Sequence, residues 1–325
     1  MIRRQNLVRI IVSLAGLGLL VFLLYRLGPN NVLSLFRQIS WRFLVIVLIY
    51  GTEELVRAAA LRQCLPRESR PAFRTIVHIR LIGEAVRAVT LTGPLLSEPT
   101  RAWLIRKQGV RSSEAVAATI GEYAANTFVS AFLTVAGVIY LFKCLEPPDD
   151  LRVAGSVLLC ASAGYMVGVV IALSRRARFL RLVATRFARL PGMQSRTSAR
   201  LESAGQTGDA LFLALRDRPG TLLRLLALEC VAQTLLLVET YWSLISMGLN
   251  TSFLTASLAE ILTKLANVAF VGVAEGAYVF LFHALALPVT AGFTLALVKR
   301  LRSLALAVIG LASLSLISIR SPRRR

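Results

Sequence analysis

Runs of apolar residues long enough to cross a bilayer recur along this 325-residue chain. A helix needs about 20 consecutive apolar residues to span the hydrocarbon core, and only helices suit runs of this length, because every backbone polar group must be satisfied internally. The hydrophobic share of 56% also exceeds that of ordinary soluble domains. The chain is therefore predicted to be an all-α polytopic membrane protein. About six full spans are expected near residues 7–27, 43–61, 113–142, 153–173, 222–247 and 289–319.

Basic residues predict the orientation of these spans. The formal net charge is +21, and cytoplasmic loops of membrane proteins are rich in Lys and Arg. The basic residues crowd the N-terminus, residues 62–111, residues 174–218 and the C-terminal tail. We therefore predict a plasma membrane protein of the bacterial inner membrane type with both termini in the cytoplasm, the first apolar run being an uncleaved anchor. The charge flanks the spans, which favours anionic lipid head groups and not nucleic acid as partners.

Two apolar stretches are interrupted and cannot each form one straight span. Residues 81–122 are broken at Gly93-Pro94 and again near Pro99, and residues 253–287 are broken at 271–276. Each is predicted to be a re-entrant helical hairpin, the first inserted from the cytoplasm and the second from outside. The half-helix after the first break is expected to begin near Ser97 as its N-cap and to reach Lys107, about 15 Å or half a bilayer.

The two hairpins predict an inverted repeat within a single integral membrane domain of residues 1–325. The first repeat is expected at about residues 43–173 and the second at about 221–319, joined by a basic cytoplasmic linker at about 174–220. Glu122 follows Glu98 at the same sequence distance as Lys299 follows Glu275. Inverted repeats whose broken helices meet at mid-membrane are typical of transporters.

Charged residues within these stretches predict a polar cavity between the repeats. A charge inside the bilayer costs roughly 2.5–3.5 kcal/mol, so it normally faces a partner or a wet space. Half-helix N-termini and arginines bind anionic groups such as phosphate. Simple pairing of neighbours, such as Glu84 with Arg87 or Glu260 with Lys264, is the alternative for any single charge. The predicted substrate-binding residues are Glu84, Arg87, Thr92, Gly93, Glu98, Arg101, Glu122, Gly272, Glu275, Lys299 and Arg302.

Several segments form a family-like pattern, namely Leu81-Ile-Gly-Glu-Ala85, Val89-Thr-Leu-Thr-Gly93, Ser97-Glu-Pro99, Arg101, Gly109-Val110 and Gly272-Val-Ala-Glu275. They resemble the lysylphosphatidylglycerol synthase transmembrane region, a flippase-like family of integral membrane proteins. The resemblance covers essentially the whole chain, and it implies two re-entrant hairpins and movement of a lipid between leaflets. Two-domain members also carry a soluble synthase domain, for which this chain has no room, so no synthase activity is expected.

Two departures from the family pattern concern the substrate. Leu96-Ser97 stands where two glycines are expected, and Arg87 stands where the family has Asn. An added arginine favours a more anionic or phosphate-bearing lipid. The expected function is therefore a lipid translocator that moves an anionic or modified phospholipid, or a lipid-linked precursor, between leaflets.

Two other classes of function stay open. A membrane enzyme acting on a lipid-linked sugar or phosphate would use a buried Glu122 or Glu229 as its base. An accessory subunit would use the Gly164-x-x-x-Gly168 spacing to form a homo-oligomer or to bind a lipid-biosynthesis enzyme.

The absence of catalytic and cofactor motifs argues against the enzyme class. The sequence contains no D-x-D metal pair and no nucleotide-binding P-loop. Its four cysteines are scattered, and His78 and His283 stand alone, whereas a zinc site needs three or four converging ligands. We therefore expect no enzymatic activity, no metal and no cofactor.

Overall fold

The computed structural model of the chain is helical wherever it shows regular structure, which confirms the all-α prediction. The helices are α1 (Arg42–Cys64), α2 (Phe73–Val89), α3 (Pro94–Lys107), α4 (Ser112–Cys144), α5 (Asp149–Ser174), α6 (Pro219–Ser246), α7 (Phe253–Thr263) and α8 (Val289–Ser313). The structure describes residues 39, 41–89, 94–144, 148–174, 219–263, 278, 280–283 and 287–313.

Several sequence predictions fall outside these described residues. They include the N-terminal anchor and the basic linker. Four predicted site residues also lie there: Thr92, Gly93, Gly272 and Glu275. The predicted repeat boundaries therefore stay predictions.

Three of the described helices are long and apolar enough to cross a membrane, namely α4, α5 and α6. Their bounds agree with the predicted spans to within a few residues. Helices α1 and α8 have 23 and 25 residues, but both carry charged residues near their middle. An integral membrane protein is therefore established, while the number of spans and the re-entry of the hairpins stay predictions.

The first predicted hairpin contains two helices, but its second helix begins earlier than expected. Helix α3 starts at Pro94, so the prediction that Ser97 is its N-cap was wrong, and Ser97 is buried inside the helix. Proline suits the first helical position because its missing N–H has no partner there in any case. The predicted end at Lys107 is confirmed, and Gly109, with a φ of 96°, follows it. A left-handed glycine of this kind commonly terminates a helix.

The packing interleaves the two predicted repeats. Helix α1 packs mainly against α6, and α2 packs mainly against α8, while α3 contacts both α2 and α4. Buried apolar side chains from α1, α2, α3, α4 and α6 form one core cluster, which includes Ile79, Ile105 and Leu225. Helix α5 packs mainly against α4 and exposes side chains such as Val153 and Val167. The charged residues of both halves therefore share one interior.

Helices α8 and α2 pack so closely at Gly310 that adding one methyl group there tests the contact. A Cβ added at Gly310 would overlap the backbone carbonyl of Leu81 and lie 3.1 Å from the Cβ of Ala85. Overpacking of this kind costs about 1–3 kcal/mol. We therefore expect Gly310→Ala to lower the melting temperature of the purified protein.

Gly164→Ala is the matched control for that substitution. An added Cβ at Gly164 meets no atom within 4 Å, and Ala is favoured over Gly in a helix by about 1 kcal/mol. This variant is expected to melt at or above the temperature of the parent protein. Equal melting temperatures for the two variants would contradict the close packing of α8 on α2.

Candidate functional site

Charged side chains from four helices meet in the buried interior beside the apolar core. We call this group the first charge cluster. All its members are less than a tenth exposed, and together they hold more acidic than basic groups. Its members are Glu53, Glu54 and Arg57 on α1, Arg80 on α2, Glu122 on α4 and Glu229 on α6.

Glu122 and Arg80 form the centre of the first charge cluster. Arg80 donates from Nε to Glu54 Oε2 at 2.9 Å and from Nη1 to Glu122 Oε1 at 2.8 Å. Arg57 also donates to Glu122 Oε1, from its Nε at 3.1 Å. One carboxylate oxygen thus accepts hydrogen bonds from guanidinium groups on two different helices. Because these bonds are charge-assisted, they tie α1, α2 and α4 together.

Glu53 and Glu229 are paired much more weakly in the same cluster. The Arg57 Nη1–Glu53 Oε1 distance is 3.6 Å, and the Arg57 Nε–Glu229 Oε2 distance is 3.9 Å. Both distances exceed the usual range of hydrogen bonds. Glu229 Oε2 accepts one hydrogen bond from Asn126 Nδ2 at 2.9 Å. The arginines therefore neutralise Glu54 and Glu122 far better than they neutralise these two carboxylates.

A second charge cluster lies between α6, α7 and α8. Lys299 pairs with Glu260 and donates to Thr240 Oγ1 at 2.9 Å. Thr240 donates in turn to Glu260 Oε2 at 2.8 Å, and Arg302 pairs with Glu239. Two acidic and two basic residues are present, so this cluster is balanced in charge. Its members are Glu239, Thr240, Glu260, Lys299 and Arg302.

Tyr50 on α1 joins groups from α2 and α8. Its hydroxyl donates to Glu84 Oε1 at 2.5 Å and accepts from Arg87 Nη2 at 2.7 Å. The guanidinium carbon of Arg302 lies 3.9 Å from the centre of the Tyr50 ring, which is a cation–π contact. Glu84 and Arg87 also pair at 2.8 Å, so the neighbour pairing that the sequence suggested is present.

Arg101 on α3 is buried but only partly satisfied. Its side chain is 2% exposed, and Nη1 pairs with Glu98 Oε1 at 2.5 Å. Nε and Nη2 have no hydrogen-bond partner among the described residues. The guanidinium packs where a side chain at Gly83 on α2 would lie, because a Cβ there would overlap it. Both nitrogens are buried as well as unpaired in the described residues, and a guanidinium is suited to bidentate binding of a phosphate or carboxylate that reaches it.

The structure brings the described members of the predicted site into this charged interior. Glu122 and Lys299 were predicted to share a cavity, but they lie in different clusters and each pairs within its own. Whether they face a wet space stays a prediction. The predicted site residues that form buried or partly buried ion pairs are Glu84, Arg87, Glu98, Arg101, Glu122, Lys299 and Arg302.

Two central residues, Arg80 and Tyr50, were not among the predicted site residues. Arg80 directly precedes the broken stretch and follows a basic loop, so it was not distinguished from the other basic residues of that region. The apolar residues around it, such as Ile79 and Ile82, are the signal that could have placed it inside a helix. Tyr50 has no comparable signal, because a tyrosine in an apolar run is ordinary.

The two central ion pairs correspond between the halves with their signs exchanged. In the first half, Glu122 on α4 pairs with Arg80 on the first helix of the hairpin. In the second half, Lys299 on α8 pairs with Glu260 on α7. Helix α7 follows α6 along the chain as α2 follows α1, so the positions are comparable. The inverted repeat itself stays a prediction.

Metal-binding groups do not converge in the part of the chain that the structure describes. No set of three or more His, Cys, Asp or Glu side chains there is placed to hold a metal ion. The cysteines are free thiols, and Cys64 alone among them is buried.

Comparison with known proteins gives one match that covers most of the chain. The family described as Lysylphosphatidylglycerol synthase TM region matches residues 6–310, a range that includes α1 to α7 and most of α8. No curated protein and no solved structure matches the chain.

Proposed function

We propose a lipid translocator, starting from the fact that this chain belongs to the lysylphosphatidylglycerol synthase transmembrane-region family. Membership ties the protein to membrane lipid metabolism or transport. The proposed cargo is an anionic or modified phospholipid, or a lipid-linked precursor, and the proposed event is its movement between leaflets. The proposal includes no covalent step and no synthase activity.

The observation that carries this proposal is the half-satisfied guanidinium of Arg101. A buried polar group without its hydrogen bonds costs about 1–3 kcal/mol, and a charged group costs more. Arg101 keeps two donor atoms without a protein partner in the described residues, although it is almost fully buried. A lipid phosphate would satisfy both donors at once. The proposed head-group contact is therefore between that phosphate and Nε and Nη2 of Arg101.

Glu98 and Arg87 complete the proposed head-group site. Glu98 is the only described carboxylate paired with Arg101, and its side chain is 20% exposed. An arriving phosphate competes with this carboxylate for the guanidinium, which links lipid binding to a rearrangement within α3. Arg87 is 35% exposed on α2 and offers a second cation for an anionic head group. The acyl chains remain in the bilayer beside the apolar helix surfaces.

The proposed setting is a bacterial inner membrane with both termini in the cytoplasm. The positive-inside rule supports this orientation, because the basic segments flank the apolar runs. The proposed partners are membrane lipids with anionic head groups. A homo-oligomer or a complex with a lipid-biosynthesis enzyme is compatible with the exposed apolar surface of α5.

Reconstitution into liposomes tests the proposed function directly. Fluorescent analogues of several anionic phospholipids and of undecaprenyl phosphate are incorporated with the purified protein, and exchange between leaflets is followed by quenching from outside. We expect faster exchange than in protein-free liposomes for at least one of these lipids. The Arg152→Gln variant is a control, because Arg152 is well exposed at the start of α5. Exchange at the protein-free rate for every lipid would contradict the proposal.

A further inference from the structure

The first charge cluster contains more carboxylates than cations, and this excess identifies a second kind of ligand. Among the described residues, Arg57 and Arg80 are the cations at ion-pair distance from the four glutamates of the cluster. The second cluster holds two glutamates and two cations, and the pairs Glu84–Arg87 and Glu98–Arg101 are each balanced. Among the ion pairs that the described residues form, the excess of two negative charges is therefore confined to the first cluster. Uncompensated buried charge is expensive, and a carboxylate in that position takes up a proton instead.

We infer that Glu53 and Glu229 form a proton-binding site that couples lipid movement to a proton gradient. The geometry identifies these two residues among the four. Glu54 and Glu122 accept hydrogen bonds from arginines at 2.9 and 2.8 Å. Glu53 and Glu229 are 3.6 and 3.9 Å from Arg57. The poorly neutralised carboxylates are the ones that hold the protons.

Each of the two carboxyl groups also has an oxygen available for a proton. Glu53 is 1% exposed and Glu229 is fully buried. Oε2 of Glu53 and Oε1 of Glu229 have no hydrogen-bond partner in the described residues. The ion-pair contact of Glu53 with Arg57, between Oε1 and Nη1, is 3.6 Å long. A protonated carboxyl at either position places its proton on an oxygen that no arginine contacts.

The charges that surround Glu229 come from three other helices. Arg57 on α1, Arg80 on α2 and Glu122 on α4 act on it electrostatically, and Asn126 on α4 donates to it. The thiol of Cys64 on α1 also interacts electrostatically with this carboxylate. Glu122 is a like charge, which favours a proton on Glu229.

The surroundings of Glu53 differ from those of Glu229. Glu54, Arg57, Arg80 and Arg87 act on it, and Glu53 acts on Arg302 of the second cluster. Glu53 is thus a member of the first charge cluster that interacts electrostatically with Arg302 of the second cluster and with Arg87, which contacts Tyr50. Movement of Arg302 or Arg87 during lipid binding changes the field at Glu53. This placement is the physical basis for coupling, and the coupling itself rests on the proposed translocator function.

The proton step needs no other reactant. One carboxyl releases its proton to water on one side of the membrane when the neighbouring cations move closer. It rebinds a proton from water on the other side when they withdraw, while the lipid changes leaflet. Ten residues separate Glu229 from Pro219 at the start of α6, so the carboxyl lies about 15 Å along that helix, at mid-membrane depth.

Infrared spectroscopy of the purified protein in lipid tests the proton site without any transport assay. We expect the parent protein at neutral pH to show a protonated-carboxyl band that shifts in heavy water. Glu53→Gln and Glu229→Gln should each remove part of this band, and the double variant should remove it. Asp149→Asn is the matched control, because Asp149 is 98% exposed. A parent protein without the band, or a double variant that retains it, would overturn the inference.

These glutamine variants are expected to fold, because glutamine replaces a carboxyl that already carries no charge. Marked destabilisation of both variants would show that the two groups are ionised, and would also overturn the inference. The variants Glu53→Ala and Glu229→Ala remove the volume of the side chain together with its proton. Comparing them with the glutamine variants separates the effect of lost packing from the effect of the lost proton site.

A transport experiment tests the coupling. In liposomes with an imposed gradient of one pH unit, we expect the steady-state distribution of the transported lipid to shift by about tenfold per coupled proton. Glu229→Gln should remove this shift, and a sodium gradient of the same size should not produce it. Lipid exchange that ignores the pH gradient would overturn the coupling while the proposed function stands. Absence of all exchange would refute the proposed function, and the infrared result would still decide whether the proton site exists.

Discussion

Glu122→Gln is expected to destabilise the protein by about 3–5 kcal/mol, because it removes one partner of a buried ion pair and leaves the other charged. Both Arg57 and Arg80 donate to the same oxygen of Glu122. After the substitution, Arg80 retains Glu54, and Arg57 retains only its contacts beyond 3.5 Å. Thermal melting in detergent, followed by size-exclusion chromatography, measures the effect. Loss of the monodisperse peak well below the parent melting temperature is the expected result.

Glu68→Gln is the control for this prediction, because it makes the same chemical change at an exposed position. A double variant, Glu122→Gln with Arg57→Gln, removes the poorly neutralised guanidinium as well. Part of the lost stability should return in the double variant, since the cost comes from the orphaned charge. A single variant as stable as the parent protein would show that the first charge cluster does not hold the helices together.

Arg101→Gln is expected to abolish lipid exchange while the protein remains folded. The substitution removes two donors that the head-group phosphate would use, each worth about 1.5–3 kcal/mol when charged. Together they predict a rate at least about 100-fold lower. The protein should remain folded, because Gln removes a buried charge whose Nε and Nη2 lack partners among the described residues, and this gain offsets the loss of the pair with Glu98 and of the attraction to Glu54 and Glu122. The liposome assay and a melting curve measured on the same preparation give the two values.

Arg106→Gln is the matched control, since Arg106 lies on the same helix but is exposed. Arg101→Lys keeps the charge without the planar fork and should retain part of the exchange. Normal exchange in Arg101→Gln would remove the observation on which the translocator proposal stands. Unfolding of Arg101→Gln together with full activity of Arg101→Lys would instead assign Arg101 a structural role.

The apolar spans were predictable because hydrophobicity over about 20 residues is a property of one segment. The bounds of α4, α5 and α6 follow from local composition in this way. The Glu84–Arg87 pair was also predictable, because residues three apart on a helix are neighbours. The start of α3 was misjudged, because two residues suited to a helix start, Pro94 and Ser97, lie close together in sequence.

Pairs between distant helices were not predictable from one sequence. Glu122 was identified as a buried charge, but nothing local indicates that its partners are Arg57 and Arg80. Glu260 was assigned a neighbour, Lys264, that lies outside the described residues, and the structure pairs it with Lys299. Which carboxylate meets which cation depends on helix packing, and an isolated sequence carries no direct record of that.

The dependence of α1 on later helices has a consequence for how the chain is made. Helix α1 carries Glu53, Glu54 and Arg57, and an isolated segment with three such charges would enter the bilayer at a cost of roughly 2.5–3.5 kcal/mol each. The cations and carboxylates that offset this cost belong to α2, α4 and α6, which leave the ribosome later. We therefore expect helix α1 to enter the bilayer stably only after Arg80 and Glu122 have been synthesised. Membrane insertion of the first half is then expected to be cooperative and not to proceed one helix at a time.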